Sequence, residues 1–165
     1  MAHRIDEIDA KILELLQDHG RMKRNAIARE VDLSVSAVSE RMRKLEERGV
    51  LDGYHAVVDA KRLHLDITAF IRVNVDGSEY YAEFVDAVTA LDAVLEVHSI
   101  TGDGSHILKV RTHNTTSLEQ LLARLQALGG VSSTTTSIVL STFKETRAVP
   151  TEPTELLDYD DTAAD

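Results

Sequence analysis

The 165-residue sequence predicts an α+β protein of two domains: three short helices, then a four-stranded antiparallel sheet that carries two more helices. Three observations predict it. Apolar residues recur at helical spacing up to Gly49, the period changes to strict alternation from Ile67, and the later segments follow the order βαββαβ. That order is the split βαβ, or ferredoxin-like, arrangement. Before it, two short helices separated by a tight turn make a helix-turn-helix unit of winged-helix-like type.

Asp6 is placed to cap the first helix, and Glu7 and Asp9 favour the positive end of its dipole. Ile8, Ile12, Leu15 and Leu16 form its apolar stripe, and Gly20 supplies a left-handed stop. A second helix over about Lys23–Val31 buries Ile27, Ala28 and Val31. Asp32 takes the turn, because aspartate tolerates the left-handed region better than most residues. Ser34 caps a third helix that runs to about Arg48 and stops at Gly49, with Val38, Met42 and Leu45 on one buried stripe. An extended linker follows over 53–65. Alternation from Ile67 to Val75 then reads as a strand buried on one face, and Tyr80–Leu91 as a helix. Val94–Thr101 and His106–Thr112 are paired strands joined by Gly102-Asp103-Gly104-Ser105, Ser117–Leu128 is a helix, and Val131–Phe143 a long last strand. The domains are therefore 1–52, a linker strand or hinge over 53–65, 66–148, and a tail over 149–165 whose composition predicts disorder.

The formal net charge of −10 is unevenly distributed. Residues 1–60 and 61–149 each carry −2, whereas the tail from Pro150 has no basic residue and carries −6. Within Gly20–Arg48 the balance reverses, with 8 basic against 5 acidic side chains. A basic helical pair inside an acidic chain points to duplex DNA as a partner, while the overall charge argues against a non-specific nucleic-acid coat. Scarce lysine with abundant acid also suits a high-salt cytoplasm. The chain has no cysteine, which excludes disulfides and thiolate metal sites. No signal-like start and no apolar stretch of spanning length occur, so a cytoplasmic, nucleoid-associated location and no membrane partner are expected.

On the third helix, Ser36, Ser39, Glu40 and Arg43 lie opposite the buried stripe, with Lys44 at the edge and Ser34 and Ala37 at the helix start. Serine hydroxyls meet bases or phosphates, Arg43 matches guanine O6 and N7, and Glu40 accepts from cytosine N4 or pairs along the helix. Arg21, Lys23, Arg24, Arg41 and Arg48 are assigned to phosphates, which position without specifying. The bland reading is an ordinary solvated helix pair.

Three segments carry a family resemblance: Ile5-Asp6-Glu7-Ile8-Asp9-Ala10-Lys11-Ile12-Leu13, Leu33–Glu46, and Gly49-Val50-Leu51-Asp52-Gly53-Tyr54. With Thr101-Gly102-Asp103-Gly104-Ser105-His106-Ile107-Leu108-Lys109 they resemble the Lrp/AsnC (feast/famine) transcription regulators, over roughly residues 5–148. The resemblance implies a DNA-reading domain, a linker strand, and a C-terminal domain that binds effector and forms dimers through its sheet, often assembling to octamers. It also implies that the hairpin turn lines an amino-acid pocket between subunits. Two departures stand out. Asp32 replaces the usual turn glycine, and Ser105 and His106 stand where the family has Asp and Tyr. A carboxylate suited to an α-ammonium group is thus absent from that position. Gly102, Asp103, Gly104, Ser105 and His106, with Thr135 and Ser137 facing them, are the effector candidates. A plain β-turn and ordinary strand surface explain the same residues.

His98, His106 and His113 match no metal-ligand spacing, and no nucleophile–base set, Walker loop or dinucleotide fingerprint is present. The expectation is a non-enzymatic, sequence-specific DNA-binding regulator without metal or cofactor, modulated by an amino acid or related metabolite. The alternative is an architectural oligomer that wraps DNA with little effector control.

Overall fold

The computed structural model describes residues 4–156, which separate into two compact units. The first runs to Val57 and is rejoined from Thr146; the second spans Val58–Glu145.

In the first unit, strand β1 (Arg4–Ile5) leads into helix α1 (Glu7–Asp18). Asp6 caps it as expected, its carboxylate accepting from the Asp9 amide at 2.8 Å while the Asp9 carboxylate accepts from the Asp6 amide. The left-handed stop expected at Gly20 is not used. His19 closes the helix instead, donating its amide to the Leu15 carbonyl at 2.9 Å, and Gly20 keeps no positive φ. Helices α2 (Arg24–Glu30) and α3 (Val35–Glu47) are joined through Asp32, whose φ of 51° is the left-handed turn that the missing glycine would have supplied. Ile12, Leu16, Ile27, Val38, Met42 and Leu45 close the core between the three helices. Each such side chain contributes about 1.5–3 kcal/mol by leaving water.

The expected linker strand over 53–65 does not form. Those residues make no ladder, and Ala60–Leu63 close a 3-10 turn capped by Asp59 and ended by His64 at φ 59°. The segment from 149, expected to be disordered, is placed through Leu156. The Gln17 amide takes both the N–H and the carbonyl of Val149, at 2.7 and 3.0 Å. Strand β6 (Thr154–Glu155) pairs antiparallel with β1, and Leu156 packs on the helical core. Composition averages hid these few anchors among acidic neighbours. Asp158, Asp160, Asp161 and Asp165 lie outside the described residues.

The second unit is built from β2 (Ile67–Val75), α4 (Tyr81–Thr89), β3 (Val94–Ser99), β4 (His106–Thr112), α5 (Thr115–Gln126) and β5 (Val131–Ile138). The sheet order is β3-β4-β2-β5, antiparallel throughout, which is the ferredoxin-like topology. Alternation puts Ala69, Ile71, Val73 and Val75 of β2, with Leu108 and Val110 of β4, under Phe84, Val88, Leu118 and Leu125. Phe70 and Arg72 occupy the opposite, open face. The last strand is shorter than the 131–143 expected. β2 begins at Ile67, so after the Val139 amide donates to Thr68 there is no backbone left to pair with, and Leu140 and Phe143 stand exposed.

Candidate nucleic-acid interface

Helix α3 presents its outer face much as its spacing predicts, but the side chains there are already engaged. Ser34 caps the helix, its hydroxyl accepting from the Ala37 amide at 3.2 Å and lying 3.0 Å from the Ser36 hydroxyl. Ser39 is half-buried and donates back to the Val35 carbonyl at 2.8 Å, so its hydroxyl serves the helix. Arg43 holds the Glu40 carboxylate with two nitrogens, at 3.0 and 2.7 Å, and reaches Glu47 with a third. Lys44 approaches Glu40 at 3.5 Å. Together Arg43 and Lys44 hold the Glu40 carboxyl down to about 2, the hydrogen bond from Arg43 contributing most.

Arg21, Lys23 and Arg24 are exposed around the start of α2, where phosphate contact was expected of them. Arg41 is placed differently. Its guanidinium turns to the N-terminus of α1 and donates to Asp6 and Asp9, both at 2.7 Å. Asp9 is only 8% exposed. Burial opposes ionisation of Asp6, yet the Asp9 amide and Arg41 leave its carboxyl below the usual carboxylate value. Arg41 is therefore a strut between α1 and α3. The signal was available in the sequence, since at ~100° per residue Arg41 lies only ~60° from Val38 on the helical wheel. A groove of about 370 Å³ along this flank gathers Ala37, Glu40, Arg41, Lys44 and Arg48.

Arg41→Met is expected to destabilise the first unit by roughly 1–3 kcal/mol, because it leaves the Asp9 carboxylate buried with a lost partner. Urea denaturation measures it. A change within about 0.5 kcal/mol, the usual range for a surface site, would contradict the strut.

Beyond α3 the Tyr54 hydroxyl donates to Glu46 at 3.0 Å; burial first, then that bond, pushes the phenol up to about 12. This contact, which the sequence reading did not single out, fixes where the chain leaves the reader.

In the second unit the turn Gly102–Ser105 forms between β3 and β4, and its members do unlike things. Gly102 and Asp103 are exposed. Gly104 sits at φ 92°, where a Cβ would come within 3.2 Å of the Val73 carbonyl, so only glycine fits without a shift. Ser105 is used internally, its hydroxyl 3.0 Å from the Val75 amide, 3.2 Å from the Val73 carbonyl and 2.9 Å from His106 Nδ1. His106, expected to line a pocket, is buried at 2% exposure, with its ring 4.9 Å from both Tyr81 and Phe84. It belongs to the core face of β4, because alternation sends it the same way as Leu108 and Val110. Thr135 and Ser137 lie on the open face of β5, opposite Arg72 and Phe70, two strands across from the turn. At about 4.8 Å per strand the two sets stand roughly 10 Å apart.

Burial holds the His106 imidazole below its ordinary pKa, so the neutral ring is the folded form. The unfolded chain therefore binds this proton at higher pH than the folded one. Stability is expected to fall as pH drops below the ordinary histidine value of 6.5, and His106→Phe should remove that component. Urea midpoints at neutral and mildly acidic pH test this; equal slopes in both proteins would refute it.

A three-helix reader with an exposed, Arg-bearing third helix, joined to a ferredoxin-like sheet domain, defines a two-domain DNA-binding regulator. Comparison with known proteins agrees. Residues 5–52 match a winged helix-turn-helix DNA-binding family and residues 68–149 the Lrp/AsnC ligand binding domain. The chain is 36% identical over 146 residues to the HTH-type transcriptional regulator FL11 of Pyrococcus horikoshii, covering 88% of this chain and 96% of that protein. It is 32% identical over 145 residues to the leucine-responsive regulatory protein of Haemophilus influenzae, covering 86% of this chain and 87% of that one. Among solved structures, the feast or famine regulatory protein of M. tuberculosis complexed with L-methionine superposes with a TM-score of 0.83 at 30% identity, over 88% of this chain and 99% of that one. A transcriptional regulator of Neisseria meningitidis in complex with L-Met gives 0.84 at 28% identity, over 88% and 96%. The chain belongs to the Lrp/AsnC family of transcription regulators: it is a DNA-binding protein, and its relatives are regulators rather than enzymes. No helix among the described residues is long and apolar enough to cross a membrane.

Proposed function

We propose that this protein is a cytoplasmic, nucleoid-associated regulator that binds specific duplex DNA as a homodimer or a higher assembly, up to an octamer, and responds to an amino acid or related metabolite held between subunits. The observation that carries the effector reading is that two similar regulators, superposing over 88% of the chain, are complexed with methionine. The geometry supports a site between subunits. The exposed Gly102 and Asp103 and the open-face residues Thr135 and Ser137 lie two strands apart in one protomer, and a second copy packed against that face would close a site over them. Asp103 then becomes the available carboxylate for an α-ammonium group, in place of the family's aspartate. On DNA, Ser36, Arg43 and Lys44 face the bases, and Arg21, Lys23, Arg24 and Arg48 the phosphates.

A thermal-shift screen over the twenty amino acids tests the effector; a ligand at 100 times its dissociation constant adds about 2.7 kcal/mol. Asp103→Asn should abolish the response. Silence across the screen favours the second reading, an architectural DNA-wrapping oligomer. The internal use of Ser105 and His106 is the observation on its side. Sedimentation that finds only monomer at micromolar concentration would overturn both. For the reader, Lys23→Ala is expected to weaken specific and non-specific DNA binding alike and to reduce the salt slope by about 1, measured by anisotropy titrations at several salt concentrations.

A further inference from the structure

Helix α3 carries one large side chain that the protein itself leaves unused. Val35, in the first turn, is 47% exposed, and among the described residues of the three reader helices it is the one large apolar side chain open to solvent. Isolated exposed valines are ordinary on protein surfaces, and a β-branched residue adds nothing to a helix there. This one is set apart by its neighbours.

Every polar side chain of α3 is engaged within the protein. Ser36 is tied to Ser34 and Ser39 to the Val35 carbonyl, Glu46 takes the Tyr54 hydroxyl, and the remaining charges pair with one another or with α1. Each of them must give up a bond to reach a base edge. Val35 has none to give up. At ~100° per residue, Val35, Ser39 and Arg43 follow one another about 40° apart, as a single ridge slanting from the edge of the buried stripe onto the outer face. The Ser39 hydroxyl is turned back onto the backbone, so the ridge offers the Val35 methyls at one end and the Arg43 guanidinium at the other. Ala37 lies ~160° away round the helix, in the lining of the Arg41 groove, and cannot take the place of Val35.

In the major groove the feature that an aliphatic side chain recognises is the C5 methyl of thymine, the one apolar group among the base edges. We propose that Val35 is a specificity-determining residue of the reader, its methyls packing on the methyl of a thymine beside the guanine that Arg43 contacts. This rests on the reading that α3 faces the bases. From Val35 to Arg43 the helix rises by about 12 Å, and long side chains lean toward the helix N-terminus, so the thymine should lie within about four base pairs of that guanine. An apolar contact releases no counterion, and unlike a phosphate contact it should not depend on salt.

The full chain selects a duplex from a random library, and each thymine of that duplex is then replaced in turn by uracil, which lacks the methyl and keeps the pairing. In anisotropy titrations one such replacement should weaken wild-type binding about three- to tenfold, by the same factor at every salt concentration. Val35→Ala, at an exposed position where alanine is the better helix former, should keep the urea midpoint and weaken binding to the unmodified duplex by that factor. It should also abolish the effect of that uracil, whereas Arg43→Ala should leave the uracil effect in place. Neutral uracil at every position, or an undiminished uracil effect in Val35→Ala, would overturn the proposal even while Arg43→Ala still loses selectivity for the selected duplex. If no sequence is enriched, or if Arg43→Ala and Val35→Ala both leave selectivity unchanged, α3 does not read bases and the proposal falls with that reading.

Discussion

Arg43→Ala is expected to lower affinity for a specific site by ten- to a hundredfold while leaving non-specific binding within a few-fold. A bidentate arginine–guanine contact is worth about 1–3 kcal/mol of discrimination, and such a base contact adds to specific but not to non-specific affinity. The structure adds a competitor. In the free protein Arg43 is saturated by Glu40 and Glu47, so reading a base requires exchanging those exposed ion pairs for the base edge. Exposed pairs of this kind are screened by water and contribute little, so the exchange is cheap. It follows that Glu47→Gln should strengthen binding and steepen its salt dependence, since it removes a negative charge from the DNA-facing helix. Anisotropy titrations on a selected operator and on scrambled DNA measure both. Equal losses on the two DNAs for Arg43→Ala would move Arg43 to the phosphate group.

Phe84→Ala should be the most damaging single change in the sheet domain, at about 3–5 kcal/mol. Phe84 is 1% exposed and packs under the sheet, with its ring centroid 4.9 Å from that of His106. Truncation removes apolar contact and opens a cavity next to the imidazole. Two consequences are separable. Urea denaturation reports the stability loss, and NMR titration of the His106 ring should show its pKa returning upward toward the ordinary value as water reaches it. A loss below about 1 kcal/mol would mean that the core collapses to fill the space. An unchanged His106 titration would mean that Phe84 is not what desolvates it.

Legibility in the sequence followed the kind of interaction involved. The reader helices, the sheet order and the buried stripes depend on residues one turn or one pleat apart, and there the expected and observed cores coincide at Ile12, Ile27, Val38, Met42, Leu45, Ile71 and Val73. The misassignments lie where a partner distant in sequence decides. Arginines in a basic helix suit phosphate, but Asp6 and Asp9, more than thirty residues away in sequence, claim Arg41. The resemblance implies a pocket-lining His106, but strand parity turns it inward with Leu108. Apolar residues continue to Phe143, but the last strand ends at Ile138 because its partner β2 begins at Ile67.

The sequence by itself determined the class of protein. Helical and strand periods, the caps at Asp6 and Ser34, the left-handed aspartate at the turn and the basic island in an acidic chain are local properties that survive without knowledge of distant contacts. Only the tertiary structure decided which charges are free to act. It tied Arg41 to α1, divided Glu145 between Lys109 and Arg111, engaged the Ser105 hydroxyl with the backbone of β2, buried His106 beneath the sheet, and drew residues 149–156 back onto the first unit through Gln17, β1 and Leu156. Ion pairs and long-range hydrogen bonds carry no periodicity. Their partners are chosen by the fold, and with them the side chains left available for DNA and for ligands.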